Sequence, residues 1–243
     1  MPPKIVALGS SFASGPGLKP YKDTQAARSG RNYASLLARR LRANLIDLSS
    51  GGSTLLNIID SPQGKFPPQI EGIPADANII TITSGGNDMA YIGRIMVNSA
   101  AASWLTWPLA RLYEGHIGNK TIDEAALVSR FRQVIAQIRN RAPKAEIILV
   151  EYLTLIGHDY RPFVDGPLND KQSRAAQQRA AMLRREFTPK QHKVKIDAQS
   201  CRSPNIVWDM DSEAKSRGSR VMDGDFCLEV PCHGIPMLWV WKK

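Results

Sequence analysis

Apolar residues along this chain are grouped in short runs that alternate with longer amphipathic stretches. The runs are rich in Ile, Leu and Val, which favours buried β-strands, and they occupy residues 4–8, 45–48, 78–83 and 146–150. Between them, apolar side chains recur about every 3.6 residues, as expected for helices that cover a sheet. Strands separated by helices predict parallel βαβ units. The expected fold is therefore α/β, with a central parallel sheet between two layers of helices.

Capping residues and helix breakers set the expected helix boundaries. Ser29 or Asn32 is expected to cap the first helix, because both side chains can accept a hydrogen bond from a free backbone N–H. Asp123 precedes a second clear helix, which ends before Pro143. Residues 171–187 predict a third long helix.

Two stretches depart from this alternation within what we expect to be a single domain over residues 1–243. Residues 91–120 are rich in alanine and indicate an insertion over the mouth of a site. The large aromatic side chains of this insertion are Trp104, Trp107 and Tyr113. They are expected either to line an apolar pocket or to pack in the core. Residues 198–226 lack clear periodicity, and residues 198–243 form an atypical C-terminal segment.

Three of the predicted strands end in turns built from Gly, Ser and Asn. The first turn is residues 9–15, the second is 49–54 and the third is 84–88. In an open parallel sheet, ligands bind at the carboxyl ends of the strands, so neighbouring strands bring such turns together. Each motif alone is an ordinary turn or helix cap. All three in this order, each after an apolar strand, predict one site.

The three turns resemble the sequence blocks of the SGNH, or GDSL, hydrolases. The first turn is similar to Gly-Asp-Ser-Leu, with Ser10 in place of the usual Asp, and the resemblance implies that Ser11 is the nucleophile. In the second turn it implies a role for Gly52, and in the third, which reads Gly-Gly-Asn-Asp, for Asn87. The resemblance also implies the flavodoxin-like fold of that family and the activity of a serine esterase or lipase.

The chemistry of ester hydrolysis explains why these residue types are suitable. A nucleophilic serine needs an exposed turn with small neighbours, and a tetrahedral oxyanion needs two or three donors aimed at one point. The candidate donors are the backbone N–H groups of Ser11 and Gly52 and the side-chain amide of Asn87. Asp88 is expected to hold the third turn by hydrogen bonds. The reaction passes through an acyl-enzyme and calls for no cofactor and no metal.

The general base that a nucleophilic serine requires is harder to assign. By the resemblance it is a histidine near the C-terminus, in the pattern Asp-x-x-His-Pro. His233 matches this pattern in part, because Val230 and Gly234 stand where the family has Asp and Pro. A backbone carbonyl can orient a histidine in place of the Asp. His158, in the loop after the fourth strand, is the alternative base.

Charge and cysteine content narrow the classes of partner. The formal net charge is +10, but the basic residues are spread over predicted helices without a nucleic-acid-binding motif, so no nucleic-acid partner is expected. The three cysteines lack the second close pair of ligands that zinc requires. No signal-peptide pattern precedes the first strand, and no apolar run approaches the roughly 20 residues that span a bilayer. These features favour a cytoplasmic protein.

Three functions compete on this evidence. The first is an esterase or lipase-like hydrolase acting on a small-molecule or lipid acyl ester. The second is a catalytically inactive binding module of the same fold, which the atypical C-terminal segment suggests. The third is a nucleotide-binding protein, since glycine-rich turns after strands also hold phosphates. It ranks last, because the first turn lacks Gly-x-Gly-x-x-Gly and no P-loop lysine follows.

Overall fold

The computed structural model describes residues 2–118 and 122–187, together with two short strands at 227–228 and 238–241. In chain order the strands are β1 (Lys4–Gly9), β2 (Tyr21–Asp23), β3 (Arg28–Ser29), β4 (Asn44–Asp47), β5 (Ile79–Thr83), β6 (Glu146–Val150), β7 (Cys227–Leu228) and β8 (Leu238–Trp241). The main sheet has the order β4-β1-β5-β6-β8-β7, and β2 and β3 form a separate antiparallel pair. The four strands predicted from the apolar runs are thus its consecutive members.

Those four strands are parallel, as predicted. Ile5 of β1 lies between Leu45 of β4 and Ile79 of β5, and β5 pairs with β6 in the same direction. The strands β8 and β7 extend the sheet in antiparallel fashion beside β6. Both lie in the atypical 198–243 segment, in which no strand was predicted. The sequence Leu-Trp-Val-Trp of β8 has the apolar and aromatic character of a strand, although its surroundings obscure the pattern.

Helices join the strands and cover the sheet. They are α1 (Ser11–Ser14), α2 (Tyr33–Arg40), α3 (Leu55–Ile59), α4 (Tyr91–Ala101), α5 (Trp107–Gly118), α6 (Glu124–Arg141) and α7 (Asp170–Phe187), with a 3₁₀ turn at Gln69–Gly72. Of the two expected caps for the first helix, Asn32 is the one used, and its side chain accepts a hydrogen bond from the backbone N–H of Ser35. Asp123 caps α6 in the same way.

The core lies on both faces of the sheet, which makes the architecture a three-layer α/β/α sandwich. On one face, alternate strand residues such as Val6 and Leu8 pack against apolar side chains of α3, α6 and α7. On the other face, Ala7 packs with Tyr33 of α2. The Tyr33 hydroxyl forms hydrogen bonds with the hydroxyls of Thr81 and Thr83, so the two polar residues that β5 presents to this face are satisfied.

The insertion between β5 and α6 is a helical hairpin formed by α4 and α5. Trp104, at its tip, is 88% exposed, and Trp107 and Tyr113 are also exposed. The expectation that these aromatic residues pack in the core is therefore wrong. Small side chains fill the space between the two helices instead, where Ala110 packs with Ala90 and Val97. Within the described part of the chain, no helix is both long enough and apolar enough to cross a membrane.

Gly9, the last residue of β1, is the point where the elements around the first turn meet. Its φ is +137°, and a Cβ at this position would lie 2.2 Å from the carbonyl oxygen of Thr83 on β5. Its own carbonyl accepts hydrogen bonds from Ser50 N, Ser53 Oγ and Gln69 Nε2, while its N–H donates to Gln69 Oε1. Only glycine satisfies both the backbone conformation and the contact.

Replacing this glycine tests how much of the fold depends on the close approach. We expect Gly9→Ala to lower the free energy of unfolding by about 3 kcal/mol or more, because the new methyl group must displace the backbone of β5. Gly17→Ala is the matched control, since Gly17 also has a positive φ but no atom within 4 Å of a built Cβ. The control should lose only about 1 kcal/mol. Urea denaturation followed by circular dichroism measures the free energy of unfolding of both variants. Equal losses would contradict the conclusion that the fold depends on the close approach of β1 and β5 at Gly9.

Candidate active site

The three glycine- and serine-rich turns lie together at the carboxyl edge of the parallel strands, as their positions in the sequence predicted. The second turn meets the first through the hydrogen bond from Ser53 Oγ to the Gly9 carbonyl, at 2.8 Å. The third turn meets the second through Asn87, whose Nδ2 donates to the Ser53 carbonyl at 2.7 Å. Ser53 thus joins all three turns, with its side chain facing the first and its carbonyl facing the third.

Ser11 is the first residue of α1 and follows the strand end at Gly9 by two positions. It is half-buried, whereas the preceding Ser10 is completely buried. A strand-to-helix turn therefore presents the hydroxyl of Ser11, rather than that of Ser10, towards solvent. Among the described residues, the backbone N–H of Ser11 has no hydrogen-bond partner, as expected for the first residue of a helix.

Gly52 is the most exposed residue of the second turn's Gly-Gly-Ser sequence, and its φ is +82°. The turn is held by Gln63, whose Nε2 donates to the Gly51 carbonyl at 2.8 Å. Within the part of the chain that the structure describes, the N–H of Gly52 has no acceptor. Because glycine has no Cβ, a ligand atom can approach this N–H without obstruction.

Asn87 is half-buried between two buried neighbours, Gly86 and Asp88. One hydrogen of its side-chain amide is used in the bond to the Ser53 carbonyl. A carboxamide has two N–H hydrogens, so the second is available to a ligand. The bond to Ser53 also fixes the plane of the amide, which means that the direction of this second hydrogen is set before any ligand binds.

Asp88 links the third turn to two helices. Its carboxylate accepts a hydrogen bond from the backbone N–H of Leu55, at the start of α3, and another from Arg130 Nη1 of α6, at 2.9 and 2.8 Å. Burial raises the pKa of Asp88, and the bonds from Leu55 and Arg130 oppose that rise. The residue was expected to stabilise the third turn. It also ties that turn to the helix that follows the second turn.

Tyr152 is a component of the site that the sequence analysis did not identify. Its hydroxyl is 3.3 Å from Ser10 Oγ and within reach of the Ser11 side chain, and its ring centroid is 4.5 Å from that of Phe12. A Cβ on Gly86 would lie 2.4 Å from the same hydroxyl. Tyr152 therefore contacts both residues that flank Ser11, and also the residue before Asn87. Burial raises its pKa to about 12, so the hydroxyl keeps its proton at neutral pH.

Of the two candidate bases, His158 and His233, only His158 belongs to the residues that the structure describes. His233 lies outside the described residues. His158 is exposed in the loop that follows β6, at the same edge of the sheet as the three turns. No group of three side chains suited to holding a metal ion occurs among the described residues.

Comparison with known proteins shows that the chain is similar to lipases and acylhydrolases. The model of the GDSL-like lipase/acylhydrolase family matches residues 7–203, which include Ser11, Gly52 and Asn87. Lipase 2 of Streptomyces coelicolor is 24% identical over 224 residues, which is 84% of this chain and 74% of that protein.

Two solved structures share the fold. Phospholipase A1 from Streptomyces albidoflavus superposes with a TM-score of 0.56 and 19% identity, over 77% of this chain and 74% of the other. An extracellular lipase from Streptomyces rimosus gives the same TM-score with 21% identity, over 76% and 74% of the two chains. The family match, the parallel sheet and the three joined turns agree, and the chain belongs to the GDSL-like lipase/acylhydrolase family.

Proposed function

We propose that the protein hydrolyses carboxylic esters with Ser11 as its nucleophile. The observation that carries the proposal is a pattern of exposure. The Ser11 hydroxyl, the Gly52 N–H and the second amide hydrogen of Asn87 belong to accessible or half-buried residues at one end of the sheet. Their neighbours Ser10, Ser53 and Asp88, by contrast, are buried and hydrogen-bonded. The groups left available are those that acyl transfer requires.

In the proposed mechanism, Ser11 Oγ attacks the ester carbonyl carbon while a general base takes its proton. The negative charge that develops on the carbonyl oxygen is stabilised by the N–H groups of Ser11 and Gly52 and by the Asn87 amide. The alcohol leaves with the proton returned by the base, and the acyl group stays on Ser11. Water then attacks the acyl-enzyme by the same route, which releases the carboxylic acid and restores the serine.

The proposed base is His233. Leu228 and Leu238, the described residues on either side of it, pair with each other, and Leu238 pairs with Val150 at the carboxyl end of β6. Leu228 and Leu238 therefore lie at the edge of the sheet where the three turns lie. This topology supports His233, and His158 remains the alternative.

Tyr152 is proposed as a positioning residue for the nucleophile. Because it keeps its proton and lies beside the Ser10 and Ser11 side chains, its hydroxyl can hold Ser11 Oγ in one rotamer before substrate binds. Its ring meets Phe12 and Gly86, so the same side chain sets the distance between the first and third turns. Positioning of this kind affects the rate of the chemical step more than substrate affinity.

Labelling with a fluorophosphonate probe tests the nucleophile. We expect a covalent adduct on Ser11, located by mass spectrometry, and a loss of about 10⁴-fold or more in kcat for Ser11→Ala with p-nitrophenyl butyrate. The adjacent serine supplies the matched control, since Ser10 is buried and Ser10→Ala should still be labelled on Ser11.

The same labelling experiment identifies the base. The adduct should form much more slowly in His233→Ala and at the normal rate in His158→Ala, because only an activated serine reacts quickly. The reverse result would transfer the role to His158. A folded wild-type protein that is not labelled would instead support an inactive binding module.

Removal of the Asn87 amide tests the oxyanion site. Asn87→Ala should lower kcat by about 10²–10³-fold with little change in KM, because the hydrogen bond forms to the charge that develops in the transition state. Steady-state kinetics with p-nitrophenyl butyrate separates the two constants. An increase in KM at constant kcat would show that the amide binds the substrate in its ground state and would remove it from the oxyanion site.

Tyr152→Phe tests the positioning role. We expect kcat to fall by about tenfold at constant KM, while the pH at which the general base titrates in the kcat profile stays the same. Tyr91→Phe is the matched control: this neighbouring buried tyrosine accepts a hydrogen bond from Leu155 N and should leave kcat nearly unchanged. Equal losses in both variants would indicate a general loss of packing.

A further inference from the structure

The helical hairpin formed by α4 and α5 turns large apolar side chains towards solvent. We define its apolar face as Trp104, Leu105, Leu109, Leu112 and Tyr113. Trp104 is 88% exposed and Leu112 is 79% exposed, although a leucine on an ordinary surface helix faces the core. The opposite side of α5 already packs through Ala110 onto α4. Leu109, Leu112 and Tyr113 follow the three- and four-residue spacing of one helix face, and a cluster of exposed apolar side chains of this kind marks an interaction surface.

Both ends of the hairpin are attached to the third turn of the candidate active site. At its start, the Tyr91 N–H donates to the Gly86 carbonyl at 2.8 Å. At its end, the Ile122 N–H donates to the Asp88 carbonyl at 3.1 Å. The two anchoring carbonyls flank Asn87 directly, so the apolar face is carried on a segment that joins the fold beside the proposed oxyanion site.

We propose that the apolar face docks on the surface of a lipid bilayer that carries anionic headgroups. Four of its side chains, Trp104, Leu105, Leu109 and Leu112, are each more than two-thirds exposed. Side chains that project this far can insert into a fluid acyl layer. They are less suited to forming a groove, in which a partner helix would pack against partly buried side chains. Tryptophan and tyrosine beside leucine is also the composition found where proteins meet the membrane interface.

Charge supports a bilayer as the partner. Arg111 precedes Leu112 on α5, and its guanidinium lies 5.2 Å from the centroid of the Trp107 ring, so the hairpin carries a positive charge beside the apolar face. Arg94 of α4 forms an ion pair with Glu114 of α5 at 3.7 Å, so those two charges offset each other. The chain as a whole carries a net charge of +10. An anionic lipid surface attracts such a protein over several ångströms, and the apolar side chains then insert.

The effect of docking on catalysis rests on the proposed function, whereas the binding itself does not. Docking through a hairpin anchored at the third turn holds the carboxyl edge of the sheet close to the membrane. An acyl ester in the bilayer then has a short path to Ser11. The lipid surface would act as the partner that presents substrate.

Vesicle flotation with the full-length Ser11→Ala protein tests the binding without hydrolysis of the lipid. The vesicles are phosphatidylcholine alone, or phosphatidylcholine and phosphatidylglycerol in equal amounts. We expect tighter binding to the anionic vesicles and weakening as salt is raised. Introducing Trp104→Ser and Leu112→Ser together should lower the binding constant by about 100-fold, about tenfold for each lost apolar side chain.

The controls separate this proposal from its competitors. Leu18→Ser removes an exposed leucine from the loop after α1 and should leave vesicle binding unchanged. If Leu18→Ser lowered the vesicle-binding constant as much as the double variant does, binding would not be specific to the apolar face. If wild-type protein sediments as a dimer that the double variant breaks, and neither binds vesicles, the face covers a second copy and the proposal is wrong.

Activity on a soluble ester distinguishes failure of docking from failure of the proposed function. In the otherwise wild-type enzyme, the double variant should hydrolyse p-nitrophenyl butyrate at the normal rate, because the face lies outside the catalytic groups. Vesicle binding without ester hydrolysis would overturn only the proposed function. Ester hydrolysis without vesicle binding would overturn only the docking proposal.

Discussion

The close approach of β1 to β5 at Gly9 is the constraint on which the rest of the site depends. The Thr83 carbonyl of β5 occupies the space that a side chain at position 9 would need. Because Gly9 has no side chain, β1 can turn into α1 while it stays close to β5. The carbonyl of Gly9 is then free to receive three donors, two of them from the second turn. A single residue without a side chain thus lets three separate loops share one small volume.

Rigidity at this end of the sheet comes from hydrogen bonds between the turns as well as within them. Ser53 connects the turns through two different atoms, and the Asp88 carboxylate connects the third turn to α3 and α6. Removing one partner of such a buried network leaves the others unsatisfied and is strongly destabilising. The proposed reacting groups can therefore be partly exposed to solvent while their positions are held by buried neighbours.

The parts of the structure that were predictable from the sequence are those encoded locally. The four parallel strands and the turns that follow three of them appear as apolar runs ended by small residues, and the caps Asn32 and Asp123 lie next to their helices. Tyr152 and Gln69 could not be found in this way. Their partners lie 142 and 60 positions away in the chain, and only the sheet order brings them together. The strands β7 and β8 were missed because their short runs follow a stretch without periodicity.

The helical hairpin leaves and rejoins the fold at one place, the carbonyls on either side of Asn87. A segment attached in this manner adds no strand and interrupts no layer, so its length and surface can change while the sheet and the three turns keep their geometry. A change in the surface of the hairpin would therefore alter what the protein contacts, while the groups proposed to carry out the reaction stay in place.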